Sequence, residues 1–254
     1  MQLDGQVAIV TGGASGLGEA TARYLAARGC DVAVLDYNGD RARDVAAQIG
    51  GYAHQCDVSD AEQAAAAVTA TMARFGQAAR ICVNCAGVGL AARIVGREGK
   101  TSLDVFRRVI EVNLIGTYNV MTYAVQAMMD RPALDTGERG VIVNTASAAY
   151  QDGQVGQSAY AASKGAIASM CLPLARELAR PGIRVCAIAP GLFNTPMMES
   201  LPEETTAAIV SNIPFPARLG DPAEFGRLVA SIVENPYLNG EVIRLDGATR
   251  LPPK

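Results

Sequence analysis

The chain of 254 residues contains one histidine, no tryptophan and only 5% aromatic residues, and its net charge at pH 7 is -3. A nucleic-acid-binding surface usually combines a basic stripe with stacking aromatics, so these shortages argue against one. No uninterrupted apolar run reaches the length of a membrane span, and residues 1–5 lack the basic and apolar character of a cleavable leader. We therefore expect a cytoplasmic protein that binds neither nucleic acid nor membrane.

The six cysteines give no complete metal site. They occupy positions 30, 56, 82, 85, 171 and 186, mostly in apolar stretches where a free thiol behaves as a small hydrophobe. Reduced thiols are typical of the cytosol. Cys82 and Cys85 have the spacing of half a zinc or redox site, but there is no second such pair, and the single histidine is His54. We predict no metal site and no catalytic role for His54.

The remaining sequence predicts one α/β domain. Half of the residues are hydrophobic, and no Gly/Ser run, proline-rich spacer or charged block divides residues 1–254. Short β-rich runs lie at residues 7–10, 31–35, 53–56, 81–83, 141–143, 183–188 and 242–243, and helical patterns lie at 17–28, 41–48, 61–75, 103–129, 159–179 and 223–234. Near-continuous apolar strands belong in a parallel sheet that is covered on both faces. The alternation predicts a doubly wound Rossmann-type fold with about seven parallel strands and helices on both faces.

One stretch, at about residues 190–219, interrupts this rhythm with five prolines. Because it follows the sixth predicted strand, it lies at the edge of the sheet where such folds bind ligands. We interpret it as a substrate lid, with a merely structural loop as the alternative. Its apolar residues would suit an acyl chain or a steroid: Leu192, Phe193, Met197, Met198, Leu201 and Phe215.

A glycine-rich turn follows the first predicted strand and leads directly into a helix. Such a turn lets the backbone approach a pyrophosphate, whose charge is met by the amides of the helix N-terminus. The residues predicted to bind the dinucleotide here are Gly12, Ser15, Gly16, Leu17 and Gly18. Asp36, at the end of the second strand, would accept hydrogen bonds from the adenosine ribose and repel a 2′-phosphate. With nothing basic at positions 13, 14, 15 or 37, the pattern predicts NAD as cofactor.

Polar and small residues after the third and fourth strands belong to the same edge of the sheet. Asp57 and Val58 are candidates for an adenine contact, and Cys85, Ala86 and Gly87 are candidates for a close wall beside the cofactor. Turn formation is the alternative explanation for such residues, and both can hold together.

Tyr160 and Lys164 stand four residues apart in a predicted helix, so that one turn places both side chains on one face. A phenol has a pKa of about 10, and a neighbouring ammonium stabilises the phenolate; we predict a pKa of Tyr160 lowered by about 2 to 3 units. Ser147, just past a strand, could stabilise charge on a substrate oxygen. The spacing of Tyr160 and Lys164 alone is weak evidence for a catalytic site. Ser147 and the nucleotide-binding signature are what strengthen it.

In their order along the chain, these motifs resemble the short-chain dehydrogenase/reductase family. They are residues 11–18, 84–87, Asn113, Ser147, the pair Tyr160/Lys164, and 190–191; Cys85 stands where the family more often has Asn. The resemblance implies a catalytic tetrad of Asn113, Ser147, Tyr160 and Lys164, in which Tyr160 exchanges a proton with the alcohol. Lys164 would also hold the nicotinamide ribose, and Asn113 would anchor a water that links Lys164 to solvent. The resemblance also adds residues to the cofactor site: Tyr160, Lys164, Pro190, Gly191, Phe193 and Thr195.

More narrowly, several segments are similar to the type 2 3-hydroxyacyl-CoA dehydrogenases, also known as 17β-hydroxysteroid dehydrogenase type 10. They are residues 144–147, 153–157, 189–193, 214–216, 218–222 and 239–247. This subgroup oxidises 3-hydroxyacyl-CoA with NAD, and some of its members accept steroid alcohols. By the same likeness we expect a homotetramer acting on a small-molecule substrate.

The substrate itself is less well marked. Gln154 and Gln157 could offer amides to a thioester or keto oxygen, although polar loop residues need no such explanation. Arg93, Arg97 and Lys100 could meet coenzyme A phosphates or simply form a solvated basic loop. A hydroxysteroid, another secondary alcohol or a 3-ketoacyl carrier protein stays open as substrate, the last weakened by Asp36 because that activity commonly uses NADPH. A scaffold that senses NAD without turnover is also open, but the complete tetrad argues against it.

Overall fold

The computed structural model describes residues 1–199, 204, 207 and 210–253, and its described strands form one parallel sheet of seven. The strands are β1 (Val7–Thr11), β2 (Asp31–Asp36), β3 (Tyr52–Gln55), β4 (Ile81–Asn84), β5 (Gly140–Thr145), β6 (Ile183–Pro190) and β7 (Val242–Leu245). Their order is β3-β2-β1-β4-β5-β6-β7, and each neighbouring pair is parallel. The predicted doubly wound sheet is confirmed.

Helices connect the strands on both faces. They are α1 (Gly16–Ala26), α2 (Gly39–Ile49), α3 (Ala61–Phe75), α4 (Leu103–Ile110), α5 (Gly116–Met129), α6 (Ser158–Glu177), α7 (Pro196–Glu199) and α8 (Pro222–Glu234). Single 3₁₀ turns lie at Arg97–Gly99 and Ala148–Tyr150. No helix in the described ranges is both long and apolar enough to cross a membrane.

The sheet divides the interior into two apolar layers. In β1, Ile9 faces the layer formed by α3, α5 and α6, whereas Ala8 and Val10 face the layer formed by α1, α2 and α8. Successive strand residues point to opposite faces, so a strand covered on both sides must be apolar at every position. Phe225 of α8 is fully buried in the second layer, where such a side chain contributes about 1.5–3 kcal/mol.

The single helix predicted at 103–129 is divided by one π-helical turn. α4 runs into the π turn Glu111–Ile115, and α5 continues from it. A π turn inserts an extra residue and often marks a functional position in a helix. Here it contains Asn113, whose side chain is fully buried beneath the edge where the strands end. We call that edge the carboxyl edge and the opposite one the amino edge.

The stretch predicted as a lid is only partly an exposed cover. Phe193 pairs with Gly220 in a short bridge, is 5% exposed and meets the Phe225 ring edge-on at 6.5 Å. Its assignment to the lid was therefore wrong, because its ring belongs to the core. Leu192 and Met198 are half-buried and Phe215 is 82% exposed. Met197 lies in α7, and Leu201 falls outside the described residues.

Candidate active site at the carboxyl edge

The glycine-rich turn after β1 is built for close backbone approach. Gly12 has φ +62°, and a Cβ there would lie 2.8 Å from the Ala86 nitrogen. A Cβ on Gly18 would lie 2.1 Å from the Gly12 carbonyl oxygen, so only glycine lets α1 start this near the turn. Thr11 Oγ1 accepts hydrogen bonds from the Cys85 and Ala86 amides at 3.1 Å each. The turn and the predicted wall of residues 85–87 therefore form one rigid unit.

The N-terminus of α1 is available to an anion. Ser15 occupies the N-cap position, but its side chain makes no capping hydrogen bond, and Leu17 is half-buried in the first turn. Gly16 has φ +51°, and the nearest atom to a Cβ there would be Thr195 Cγ2 at 3.6 Å. Thr195 thus lies across the helix start from the turn. Uncapped amides with the helix dipole behind them fit the pyrophosphate of a dinucleotide.

Asp36 is held across the same turn. Its Oδ2 accepts from the Ala14 amide at 3.0 Å, and its Oδ1 accepts from the Asn38 amide at 2.9 Å. One basic residue escaped the sequence analysis: Arg41 donates from Nε to the Ala14 carbonyl at 3.1 Å and lies 3.6 Å from Glu19. Its position in the first turn of the helix that follows β2 was the signal, because that turn returns beside the glycine-rich loop.

Asp57 and Val58 have the contacts of a turn. The Ser59 hydroxyl and amide donate to Asp57 Oδ1 at 2.6 and 3.0 Å, and Arg108 lies 3.9 Å from Oδ2. Val58 is 6% exposed, and its side chain would be 2.5 Å from a Cβ on Gly116. Turn formation, the alternative given above, therefore accounts for what the structure shows of these residues.

Tyr160 and Lys164 lie on one face of α6, with the Lys164 Nζ 5.8 Å from the centroid of the Tyr160 ring. Lys164 is 4% exposed, and its Nζ donates to the Thr145 carbonyl at 2.7 Å. Burial lowers the pKa of Lys164 to about 8. Burial also raises the pKa of Tyr160, and a hydrogen bond with Ser147 partly opposes this.

The predicted lowering of the Tyr160 pKa is therefore wrong for this state of the chain. Desolvation of the phenolate raises the pKa of Tyr160, and the hydrogen bond with Ser147 is what lowers it. The Lys164 ammonium bonds to a backbone carbonyl instead. Ser147 lies two residues after the end of β5, is 8% exposed and accepts a hydrogen bond from the Ala149 amide at 3.2 Å. The structure thus brings Ser147, Tyr160 and Lys164 together.

Asn113 links the loop after β4 to α6, which carries Tyr160 and Lys164 and which we call the catalytic helix. Its amide oxygen accepts from the Val88 nitrogen at 2.8 Å, and its amide nitrogen donates to the Val88 carbonyl at 3.0 Å and to Ser163 Oγ at 3.1 Å. Ser163 Oγ in turn donates to the Tyr160 carbonyl at 2.8 Å. A Cβ on Gly87 would lie 3.1 Å from Asn113 Oδ1. This positioning contact is an addition to the water-anchoring role that the family resemblance implies.

The two glutamines predicted to bind substrate are bonded to one another. Gln154 N donates to Gln157 Oε1 at 3.1 Å, and Gln157 Nε2 donates to Gln154 Oε1 at 3.3 Å. Gln154 Nε2 also donates to the Pro252 carbonyl at 2.9 Å. Both side chains are half-buried in the loop that leads into α6. Each amide group keeps one N–H for another partner.

The basic loop lies beside these glutamines. Arg93, Arg97 and Lys100 are all exposed. The Ala92 amide donates to the Gly156 carbonyl at 2.8 Å, which fixes the start of the basic loop against the glutamine loop. The structure therefore places the start of the basic loop next to the predicted substrate residues, without a contact that assigns a ligand to its three cations.

Pro190 and Gly191 close the far side of the site. The Gly191 amide donates to the Leu245 carbonyl at 2.9 Å, and a Cβ on Gly191 would lie 2.6 Å from Asp246 Cβ. On this side the ring of Phe193 faces the core, so only its backbone is left for the cofactor contact predicted from the family.

The acidic residues and thiols that the structure describes can be compared with metal-ligand and thiolate sites. Within the described ranges, no three residues of the types His, Cys, Asp and Glu are grouped as metal ligands. Burial raises the pKa of Cys85 to about 11 and that of Cys82 to about 12. Both thiols are protonated at neutral pH and act as wall and core residues.

Comparisons with known proteins agree with this geometry. A model of the short chain dehydrogenase family matches residues 6–206. The human 3-hydroxyacyl-CoA dehydrogenase type-2 is 47% identical over 253 residues, covering 98% of this chain and 97% of the relative. The protein of the same description from Drosophila melanogaster is 46% identical over 251 residues, covering 97% and 98%.

A solved structure gives the same result. The crystal structure of 3-hydroxyacyl-CoA dehydrogenase type-2 from Mycobacterium avium superposes with a TM-score of 0.90 at 42% identity, covering 98% of this chain and 97% of that one. The resemblance seen in the sequence motifs is confirmed, both for the family and for the similarity to the type-2 subgroup. The chain belongs to the short-chain dehydrogenase family.

Proposed function

We propose that this oxidoreductase interconverts 3-hydroxyacyl-CoA and 3-ketoacyl-CoA with NAD as cofactor. The observation that carries the proposal is the grouping of Ser147, Tyr160 and Lys164 at the carboxyl edge, next to an open helix N-terminus, in a chain 47% identical to a 3-hydroxyacyl-CoA dehydrogenase type-2. Members of this family generally use a nicotinamide cofactor and act on small molecules.

In this mechanism Tyr160 accepts the proton of the alcohol during oxidation and returns it to the oxygen during reduction. Ser147 donates a hydrogen bond to the same substrate oxygen and steadies its developing charge. Although burial raises the pKa of Tyr160 in the unliganded chain, we assign the Lys164 cation the role of stabilising the phenolate that forms when Tyr160 gives up its proton. When bound, the nicotinamide ring supplies the acceptor for the hydride that leaves the carbinol carbon.

The choice of NAD rests on Asp36. Its carboxylate is fixed beside the glycine-rich turn by two backbone amides, where it suits ribose hydroxyls and repels a phosphate. Arg41 is the one nearby cation that could offset this repulsion, but it bonds the Ala14 carbonyl and lies 3.6 Å from Glu19. Its charge is therefore partly neutralised already, which leaves Asp36 decisive.

Coenzyme A recognition would use the basic loop. Arg93, Arg97 and Lys100 are exposed, and the start of their loop is bonded to the loop that carries Gln154 and Gln157. Phosphates attract exposed cations without a preformed cage. A glutamine amide could then hydrogen-bond the thioester or keto oxygen.

The test is a substrate panel followed by NADH absorbance. It contains acetoacetyl-CoA, longer 3-ketoacyl-CoAs, a ketosteroid and a ketoacyl carrier protein, each with NADH and with NADPH. We expect fast NADH oxidation with the acyl-CoAs, and its loss in Tyr160→Phe with NADH binding retained. NADH binding without turnover of any compound in the panel would favour a nucleotide-sensing scaffold. Turnover of the ketosteroid alone would show that the substrate is a steroid and not an acyl-CoA.

We also propose a homotetramer in the cytoplasm. Apolar side chains remain exposed along α4, the π turn and α5: Leu103 is 63%, Phe106 43%, Ile115 46% and Tyr118 51% exposed. A stripe of this kind suits a helix-to-helix contact between copies. All six cysteines are unpaired, which suits a reducing compartment. Light scattering after gel filtration tests the homotetramer, and cell fractionation tests the cytoplasmic location.

A further inference from the structure

Arg244 of β7 is the centre of a half-buried polar cluster that the proposed mechanism does not use. It is 16% exposed, and its Nε donates to Asp246 at 2.7 Å. Its terminal nitrogens donate to Asp152 and to the Gln151 amide oxygen, each at 2.7 Å, and to the Thr249 carbonyl at 3.2 Å. Asp152 and Asp246 are only 14% and 8% exposed. Charge-assisted bonds from one planar guanidinium fix geometry as well as supply energy.

The cluster ties together two segments that meet at the substrate side of the site. Gln151 and Asp152 begin the loop at residues 151–157, which we call the glutamine loop and which leads into the catalytic helix. Thr249 belongs to residues 246–253, which we call the terminal turn. The terminal turn bonds back to the glutamine loop twice: Gln154 Nε2 donates to the Pro252 carbonyl at 2.9 Å, and Val155 N donates to the Pro253 carbonyl at 3.0 Å.

The glutamine loop has little regular backbone bonding of its own. Gly156 has φ +87°, a conformation that most side chains avoid. The position of Gln154 is set by Pro252, and Gln157 is in turn held by Gln154. A chain of contacts therefore runs from Arg244 through the terminal turn to the two glutamine amides that we assign to the substrate.

Asp246 connects the same guanidinium to the cofactor side. A Cβ on Gly191 would lie 2.6 Å from Asp246 Cβ, so the carboxylate-bearing residue packs directly on the wall at Pro190–Gly191. Arg250 adds a second, more exposed cation to Asp246 at 3.2 Å. Arg244 thus fixes the distance between the wall of the dinucleotide site and the glutamine loop.

We propose that Arg244 is a positioning residue. Through Asp152 and Asp246, it holds the glutamine loop at a fixed position relative to the dinucleotide site. The inference rests on the proposed function, since the glutamine loop is assigned to the acyl-CoA. Loss of the guanidinium frees the glutamine loop but leaves Ser147, Tyr160 and Lys164 on their own elements. The effect therefore falls on substrate binding and not on the chemical step.

The experiment compares Arg244→Met and Arg244→Lys with the unaltered chain. For Arg244→Met we expect the KM for acetoacetyl-CoA to rise about tenfold, with kcat and the Kd for NADH nearly unchanged. Arg244→Lys should restore part of the KM, because one ammonium can serve one carboxylate but cannot bridge both. A lower Tm with an unaltered KM in both variants would overturn the proposal, because that is the signature of a purely structural cluster.

Asp152→Asn keeps the test valid if Arg244→Met fails to fold, because it leaves Arg244 paired with Asp246. It should raise the KM in the same direction. Where Arg244→Met does fold, the effects of the two substitutions should not add in the double variant. Arg28→Met is the matched control: it removes an exposed ion pair with Glu234 at 3.0 Å, outside the site. An unaltered chain that does not turn over acetoacetyl-CoA refutes the proposed function instead, whereas an active chain whose KM ignores Arg244 refutes only this inference.

Discussion

The two edges of the sheet treat buried charge in opposite ways. At the amino edge, the Arg184 guanidinium meets Glu138 at 2.7 Å and the carbonyls of Ile232 and Val233 at 2.8 and 2.9 Å. These carbonyls lie in the last turn of α8, where a cation is favourable. At the carboxyl edge, Lys164 is as buried, but it has one carbonyl partner and a pKa lowered to about 8.

The difference teaches which charges serve stability and which serve chemistry. Arg184 has its donors matched by acceptors, so removing it takes the guanidinium from Glu138 and from the helix carbonyls. Glu138 then keeps the Met1 ammonium at 3.0 Å, but it has lost one buried ion-pair partner. Lys164 is held in a site that destabilises its charge, and such a pKa is typical of a functional group. Stability should therefore depend on the amino edge and turnover on the carboxyl edge.

The largest expected effect is on turnover. Lys164→Met removes the ammonium but keeps the length of the side chain. We expect kcat for NADH oxidation with acetoacetyl-CoA to fall about 10³-fold, because the phenolate of Tyr160 loses its cation. The Tm should stay level or rise, since a poorly solvated charge disappears. A large fall in Tm would show that the carboxyl edge also carries stability and would break the comparison.

Arg184→Met is the reciprocal change. We expect the free energy of unfolding to fall by about 3 kcal/mol, because one partner of a buried ion pair is removed. Urea denaturation measures this, with Arg28→Met as the exposed control, for which a loss of less than about 1 kcal/mol is expected. The folded fraction should keep the kcat of the unaltered chain. A variant that folds normally but turns over slowly would contradict the division between the edges.

A smaller effect is expected on cofactor choice. Asp36→Ala removes the repulsion of a 2′-phosphate, and Arg41 is the nearby cation that could then attract one. We expect the ratio of kcat/KM for NADH over NADPH to fall about 10- to 100-fold. Adding Arg41→Ala to the Asp36→Ala variant should raise the ratio of kcat/KM for NADH over NADPH again in part. If the single variant keeps the original ratio, then Asp36 does not select the cofactor.

The fold was readable from the sequence because its signals are local and repeated. All seven strands and the helices on both faces follow from apolar runs and helical spacing, and the glycines of residues 12–18 mark the turn without further information. Strand ends such as Asp36 fall at one edge because parallel strands all end there. The placement of Ser147 after a strand, and of Tyr160 and Lys164 on one face of a helix, could be predicted from the same local patterns.

What the sequence did not show depends on contacts between distant segments. Nothing local reveals that Asn113 pairs with the Val88 backbone, or that the ring of Phe193 turns inward to Phe225. The pKa of Tyr160 was misjudged because spacing gives the distance to Lys164 but not the degree of burial, and burial decides the sign. Arg244 carried no motif, since two of its partners, Gln151 and Asp152, lie about ninety residues away along the chain.

The smallest expected effect separates the two regions by pH. Burial raises the pKa of the thiols in the interior: Cys30, Cys82 and Cys171 to about 12, and Cys56 and Cys85 to about 11. A group whose pKa is raised by folding stabilises the chain below its unfolded pKa, near 9, and loses that contribution as the pH rises towards 11 or 12. Lys164 has the opposite sign, because between pH 8 and 10.5 the unfolded chain holds the extra proton. The thiols outnumber it, so Tm should fall above pH 9.

Turnover should respond earlier than stability. Reduction of acetoacetyl-CoA needs a charged Lys164, so kcat should decline as the pH rises through about 8, before Tm begins to fall. Measuring kcat by NADH absorbance and Tm by circular dichroism from pH 6 to 10.5 places both transitions on one axis. Cys171→Ala should lessen the alkaline fall in Tm and leave the decline in kcat where it was, because that thiol lies in the interior and not at the carboxyl edge. Coincident transitions in kcat and Tm would mean that loss of the fold, and not the charge of Lys164, limits activity at high pH.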